Sequence, residues 1–387
     1  MKLADRLTNL GTETAFVVFS KAKELEAQGK EMIHLEIGEP DFDTPQNIVE
    51  SAIDALRNHW THYNPSAGLP ALRQAIAEEI NRTRGIKIGP ENVVITPGGK
   101  PIIMFSMLAL VNAGEEVIYP NPGYPIYESA VNFIGAKAVP IRMREENQFR
   151  LDVDELISLI TPKTRMIIIN SPQNPTGSVL TKEDLRAIAD IALKNDIYIL
   201  ADEIYSQIMY EGIHESISSF PGMTERTIIL EGFSKTYAMT GWRVGYGVMP
   251  KDLAIQVAKL ETNFNSCTTT FAQVAGIEAL KGDQSAVGRM VNKFRERRDI
   301  FCDGLNRIDG FRCHKPAGAF YLFPNISKFG IKSAEMEYRL MQEAGIAALA
   351  GTSFGAFGEG FVRFSYASST QNIKKALDKL AKFVGKL

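Results

Sequence analysis

Arg165-Met-Ile-Ile-Ile-Asn170 and Ile197-Tyr-Ile-Leu-Ala201 are two short, unbroken apolar runs, and the chain between them has a different period. Residues 180–195 space their apolar side chains as a helix does, with Thr181 and Asp184 placed as an N-terminal capping pair. A strand that is apolar on both faces belongs in a parallel sheet covered by helices above and below.

The same alternation extends in both directions. Val93-Val-Ile-Thr96 reads as a strand, and Gly98-Gly-Lys100 leads into an apolar helix from Pro101. Glu116-Val-Ile-Tyr119 is strand-like and is followed by the turn-rich Pro120-Asn-Pro-Gly-Tyr-Pro125; Thr227-Ile-Ile-Leu230 is another strand-like run. This order predicts an α/β fold, an open and mostly parallel sheet with helices on both faces. The character changes after about residue 280. Residues 286–307 read as one long charged helix whose Arg295, Arg297 and Arg298 form a solvated face. Strand-like Ala319-Phe-Tyr-Leu-Phe323, a helix over 333–344, strand-like Phe361-Val-Arg-Phe-Ser365 and a final amphipathic helix follow. The expected division is a large domain over 46–280 and a smaller α+β domain formed by both termini, 1–45 and 281–387. The first ten residues read as a short amphipathic helix with Leu3, Leu7 and Leu10 on one face. The glycine-rich segment 351–360 is expected to be a mobile loop.

Composition narrows the function classes. The 387 residues carry a net charge of −2, which gives no basic patch for nucleic acid. No apolar run approaches a membrane span, and the N-terminus lacks the apolar stretch of a signal peptide. Cys267, Cys302 and Cys313 have no CxxC spacing and are expected to be free thiols in the cytoplasm. No HExxH or Cys/His cluster argues for a metal. No Walker A or GxGxxG motif argues for a nucleotide-binding α/β protein.

Gly232-Phe-Ser-Lys235-Thr-Tyr-Ala-Met-Thr-Gly-Trp-Arg243 carries the chemistry. It sets a lysine, a serine and an arginine close together among glycines and aromatics. An enzyme that holds a phosphorylated aldehyde cofactor needs such a set: an amine for an imine bond and two groups for the phosphate. With Ser171-Pro-Gln-Asn-Pro-Thr-Gly177 and Ala201-Asp-Glu-Ile-Tyr205 upstream, the order resembles that of the fold-type I pyridoxal-phosphate (PLP) enzymes. It is most similar to the class I/II aminotransferases of the aspartate/aromatic branch. The resemblance runs from about Leu35 to Ala367 and implies a seven-stranded, three-layer αβα PLP-binding domain beside the small domain.

Each candidate residue also has a plainer reading. Asp202, at the end of a buried strand, suits a carboxylate beside the cofactor's pyridine nitrogen, or simply caps the next helix. Asn174 and Tyr205 suit the phenolic oxygen, or are a turn residue and a core-edge tyrosine. Lys235 is the expected nucleophile and then the general acid/base. Gly98, Gly99 and Lys100 offer backbone N–H groups to a phosphate at a helix N-terminus, with Ser234 and Arg243 completing the clamp; a plain loop is the alternative. Tyr124 suits stacking on the ring, or packing. Arg363, alternating with apolar residues, suits a substrate α-carboxylate or a structural salt bridge. Glu203 is expected to point away from the site. The resemblance further implies that Gly38, in Ile37-Gly-Glu-Pro-Asp-Phe-Asp-Thr-Pro45, approaches the substrate carboxylate. It also implies that Tyr63 reaches the phosphate of a neighbouring subunit, making a homodimer with shared sites.

The implied activity is a PLP-dependent aminotransferase of amino acid metabolism. It would move an amino group from an L-amino acid (aspartate, aromatic or other apolar donor) to a 2-oxo acid such as 2-oxoglutarate, by ping-pong. A PLP-dependent C–S β-lyase, a Cα-acyltransferase and a non-catalytic PLP-binding regulatory protein share parts of these motifs. Glu13-Thr-Ala-Phe16 and Asn263-Phe-Asn-Ser-Cys-Thr-Thr-Thr270 supply no arginine for a second carboxylate, whereas Phe16 and Phe264 suit an apolar side chain.

Overall fold

The computed structural model describes residues 3–387. Its centre is a seven-stranded sheet of β1 (Val93–Thr96), β2 (Glu116–Asn121), β3 (Lys137–Arg142), β4 (Thr164–Asn170), β5 (Tyr198–Asp202), β6 (Thr227–Gly232) and β7 (Gly245–Val248). The spatial order is β1-β7-β6-β5-β4-β2-β3. Only β7 runs antiparallel to its two neighbours; the other pairings are parallel.

The two faces of the sheet separate by alternation. Met166, Ile168, Leu200, Ile228 and Leu230 pack on one side with the helices Lys100–Leu110, Ile126–Phe133 and Lys251–Phe264. Ile167, Ile169 and Ile199 pack on the other with Lys182–Lys194, while Ile229 meets Pro70–Arg84 and Thr270–Lys281. The central strands β4, β5 and β6 are thus buried on both sides, which is why each is built around a run of apolar residues. The capping pair is present: Thr181 Oγ1 accepts from the Asp184 N–H at 3.2 Å, and the Asp184 carboxylate accepts from the Thr181 N–H at 2.9 Å.

The chain ends build a second packing unit. Ile33–His34 pairs in parallel with Ile346–Ala347, and Leu349–Ala350, Val362–Ser365 and Tyr321–Leu322 form a small antiparallel sheet. Ile33, Leu35, Phe294, Phe301, Phe320 and Phe364 share its core.

Three expectations need correction. The helix Ser285–Leu305 does not present Arg297 and Arg298 to solvent; both are buried. Arg297 pairs with Asp41 at 2.6 Å and lies over the Phe42 ring, and Arg298 pairs with Glu211 at 2.8 Å over Tyr210. A guanidinium satisfied by a carboxylate and an aromatic face can be covered where an isolated charge cannot. The N-terminal stretch forms only a short 3-10 turn, Asp5–Asn9, with Leu3, Leu7 and Leu10 exposed; Met1 and Lys2 lie outside the described residues. Segment 351–360 is not an open loop but two 3-10 turns, Gly351–Phe354 and Ala356–Gly358. They are tied to the end of β2, where the Phe357 N–H donates to Asn121 Oδ1 at 3.0 Å and the Gly123 N–H to the Phe354 carbonyl at 2.8 Å.

Candidate active site

The C-terminal ends of β4, β5 and β6 open into a cavity of about 530 Å³. Ligands of open α/β sheets bind at this edge. Lys235, Asp202, Tyr205, Asn174, Ser234, Arg243, Arg363, Tyr124, Gly99, Lys100 and Gly38 all line it, although 325 residues separate Gly38 from Arg363.

Asp202 ends β5. It is buried, and its carboxylate accepts from the Tyr127 hydroxyl at 2.6 Å and the Ile204 N–H at 3.2 Å. Burial raises its pKa to about 6, against the lowering by those two donors, so near neutral pH it is an anion facing the cavity. Glu203 turns to the opposite side and pairs with Arg84 at 2.8 Å, as expected.

Lys235 follows β6 by three residues. Its Nζ donates to the Gly38 carbonyl at 2.6 Å. Burial pushes its pKa down to about 8, because a low-dielectric setting disfavours the ammonium. Such an amine is largely available as a neutral nucleophile or base at mildly alkaline pH. Tyr205 hydrogen-bonds Tyr321 Oη at 2.7 Å, and burial holds its hydroxyl in the protonated form.

Arg363 is buried on the small-domain strand. Its Nη1 donates to Asn174 Oδ1 at 3.1 Å and its Nη2 to the Glu36 carbonyl, and its guanidinium lies against the Tyr321 and Phe354 rings. Its buried Nε has no partner, and no carboxylate pairs with it among the described residues. The salt-bridge alternative is therefore not realised. A buried cation held by neutral acceptors alone is costly unless an anion completes the site.

The opposite end of the cavity is a backbone cradle. Gly98 has φ +85°, the left-handed region that glycine enters without strain, and a Cβ there would collide with Arg243 Nη2. Gly99 opens the helix Lys100–Leu110. Arg243 donates to the Thr240 carbonyl at 2.9 Å. This combination of helix N-terminus, serine and arginine fits a phosphate. The anion cradle, the partly buried lysine and the buried carboxylate together match the donor set that PLP requires.

Gly98 and Phe264 do not line the cavity itself. Tyr63, expected to reach a neighbouring subunit's site and not its own, is 90% exposed and lies outside it. Phe264 packs against Phe105 in a neighbouring groove rather than in the cavity. Sequence reasoning also missed Tyr127, Tyr321 and Phe354. Tyr127 lies 75 residues from the carboxylate it bonds, and no local signal marks that pairing.

Comparison with known proteins identifies the family. The family model "Aminotransferase class I and II" matches residues 30–380. The aromatic-amino-acid aminotransferase 2 of Thermococcus litoralis is 41% identical, covering 99% of this chain and 98% of its own length. An aspartate aminotransferase of Pyrococcus abyssi is 42% identical, again covering 99% and 98%. The solved structure of the aspartate aminotransferase from Thermus thermophilus with maleate superposes with a TM-score of 0.95 at 36% identity, covering 99% of this chain and 100% of that one. These relatives do not favour the lyase, acyltransferase or regulatory readings. The chain belongs to the class I and II aminotransferases, a PLP-dependent family, and is a transaminase acting on an amino acid and a 2-oxo acid.

Proposed function

We propose that this site moves the amino group of an L-amino acid, with aspartate, aromatic and other apolar donors as the candidates, to 2-oxoglutarate in two half-reactions that share one pocket. The observation that carries the reading is the pairing, in one cavity, of a partly buried amine at Lys235 with a buried guanidinium at Arg363 that no carboxylate pairs with among the described residues.

PLP, when bound, supplies the electron sink that stabilises negative charge left at the substrate Cα. The chain supplies the rest. Gly98, Gly99, Lys100, Ser234 and Arg243 hold the phosphate. Asp202 holds the proton on the ring nitrogen, and Tyr127 fixes its carboxylate. Asn174 and Tyr205 donate to the phenolic oxygen, and Tyr124 packs against the ring. Arg363 receives the substrate α-carboxylate, with the Gly38 backbone beside it. Lys235 Nζ takes the Cα proton and returns it.

Arg363→Ala removes an interaction common to all substrates. KM should rise about 10- to 100-fold for every amino acid and for the 2-oxo acid, whatever the side chain. Steady-state kinetics over a donor panel checks this; a rise confined to acidic donors would refute the assignment.

Further parts of the reading concern assembly and surroundings. Tyr63, Trp60 and Leu56 are all exposed, which supports a homodimer in which Tyr63 reaches the partner's phosphate. Sedimentation should give a dimer, and Tyr63→Phe should weaken PLP binding several-fold; a monomer with full activity would refute shared sites. The pairing of Ile33–His34 with Ile346–Ala347 supports grouping residues 1–45 with 281–387 as the small domain. Three free cysteines support a cytoplasmic setting. No helix among the described residues is long and apolar enough to cross a membrane.

A further inference from the structure

Tyr321 lines the cavity from the strand Tyr321–Leu322 and is buried, and the proposed function gives it no task. Three groups of the site converge on it. Arg363, one of four cations in the cavity with Lys100, Lys235 and Arg243, lies over its ring, 4.5 Å from the centroid. Its hydroxyl is 2.7 Å from the Tyr205 hydroxyl. The same oxygen closes on Gly38, where a Cβ would collide with it.

The bond between the two hydroxyls has a direction. Each hydroxyl has one proton to donate. Tyr205 uses its proton toward the phenolic oxygen of PLP, so Tyr321 is the donor between the two. Burial raises the pKa of both phenols, and the Arg363 charge acts against that rise. The cation thereby makes Tyr321 a stronger donor. Hydrogen bonds in a chain polarise one another, so Tyr205 donates more strongly once its own oxygen accepts a bond. The ring has separate work. A guanidinium with no carboxylate partner is stabilised by an aromatic face, and Phe354 covers it from a second ring at 4.8 Å.

We propose that Tyr321 is a positioning residue with two separable tasks: its ring holds Arg363 where the substrate carboxylate is received, and its hydroxyl donates to Tyr205 and so strengthens the bond from Tyr205 to the cofactor. This rests on the transaminase reading and adds a residue to it.

The test separates hydroxyl from ring. Tyr321→Phe keeps the ring. The pH midpoint of the visible absorption band of bound PLP should rise by about half a unit to one unit, because the deprotonated form places more negative charge on the phenolic oxygen and loses support there. Donor KM should stay within about twofold while kcat falls about 3- to 10-fold. Tyr205→Phe should raise the midpoint at least as far, and adding Tyr321→Phe to it should move the midpoint no further. Tyr321→Leu removes the ring as well. It should also raise KM about 5- to 10-fold for every donor, and weaken calorimetric binding of the unreactive acid hydrocinnamate by the same factor. The denaturation midpoint of each variant controls for folding. A band midpoint unmoved in folded Tyr321→Phe, or moved equally when Tyr205 is already Phe, would overturn the hydroxyl's task. Unchanged hydrocinnamate affinity in Tyr321→Leu would overturn the ring's. A wild-type protein that forms no PLP band and turns over no donor would instead remove the transaminase reading and this inference with it.

Discussion

Lys235→Ala should lower transamination by about 10⁴-fold or more, because one side chain serves as the reacting amine and as the base at Cα. Its position explains why nothing substitutes for it. Among the four cations of the cavity, the other lysine is bound to Glu13, and guanidinium groups do not deprotonate. Burial pushes the Lys235 amine down to about 8, whereas a solvated lysine stays charged well above that pH. The alanine protein should still fold, since the loss relieves a desolvated ammonium rather than stranding an opposite charge; its denaturation midpoint is the control. Lys235→Arg should be as inactive, which separates the need for a deprotonatable amine from the need for a positive charge. Single-turnover formation of the 2-oxo acid measures the effect, and activity within tenfold of wild type would contradict the role.

Asp202→Asn should lower kcat by roughly 10²- to 10³-fold while PLP remains bound. Asparagine has nearly the same shape and keeps an oxygen for the Tyr127 hydroxyl, now 2.6 Å from the carboxylate. What it loses is the negative charge, which in a buried setting is worth more than in water. The pH dependence follows with its sign. With the Asp202 pKa raised to about 6 by burial, the anion predominates above that value and is lost as pH falls through it. A cationic ring nitrogen opposite would lower that pKa, so the acid limb of kcat should lie below pH 6 in the loaded protein. The variant should lose this limb. An unchanged kcat in Asp202→Asn would place the charge elsewhere.

The fold was legible where one physical constraint acts on consecutive residues. β4 and β5 are buried on both faces, so their central positions, Met166–Ile169 and Ile199–Ala201, are all apolar, and the helix between them declared itself by its capping pair. β3 and β7 were not legible. β3 is one of the two edge strands, partly exposed, and carries Pro140, which a central strand does not tolerate. β7 reads Gly-Tyr-Gly-Val, a poor strand by propensity. Its glycines answer to neighbours distant in sequence: a Cβ on Gly245 would come within 2.5 Å of the Gly98 carbonyl carbon. The site divides in the same way. Lys235, Asp202, Asn174 and Arg243 lie in compact motifs that chemistry makes recognisable. Tyr127 and Tyr321 act on the motif residues from 75 and 116 positions away, through contacts that only the folded chain creates. Arg297 and Arg298 show the converse. A run of charge reads as a solvated face until the structure supplies Asp41 and Glu211 to cover it.

The most direct test of the central claim is the visible absorption of the purified, PLP-loaded protein during sequential addition of one amino acid and then 2-oxoglutarate. The account predicts a band that disappears with the donor and returns with the acceptor, with one 2-oxo acid formed per site in the first step. A band that persists with every donor, or pyruvate release that needs no acceptor, would contradict it.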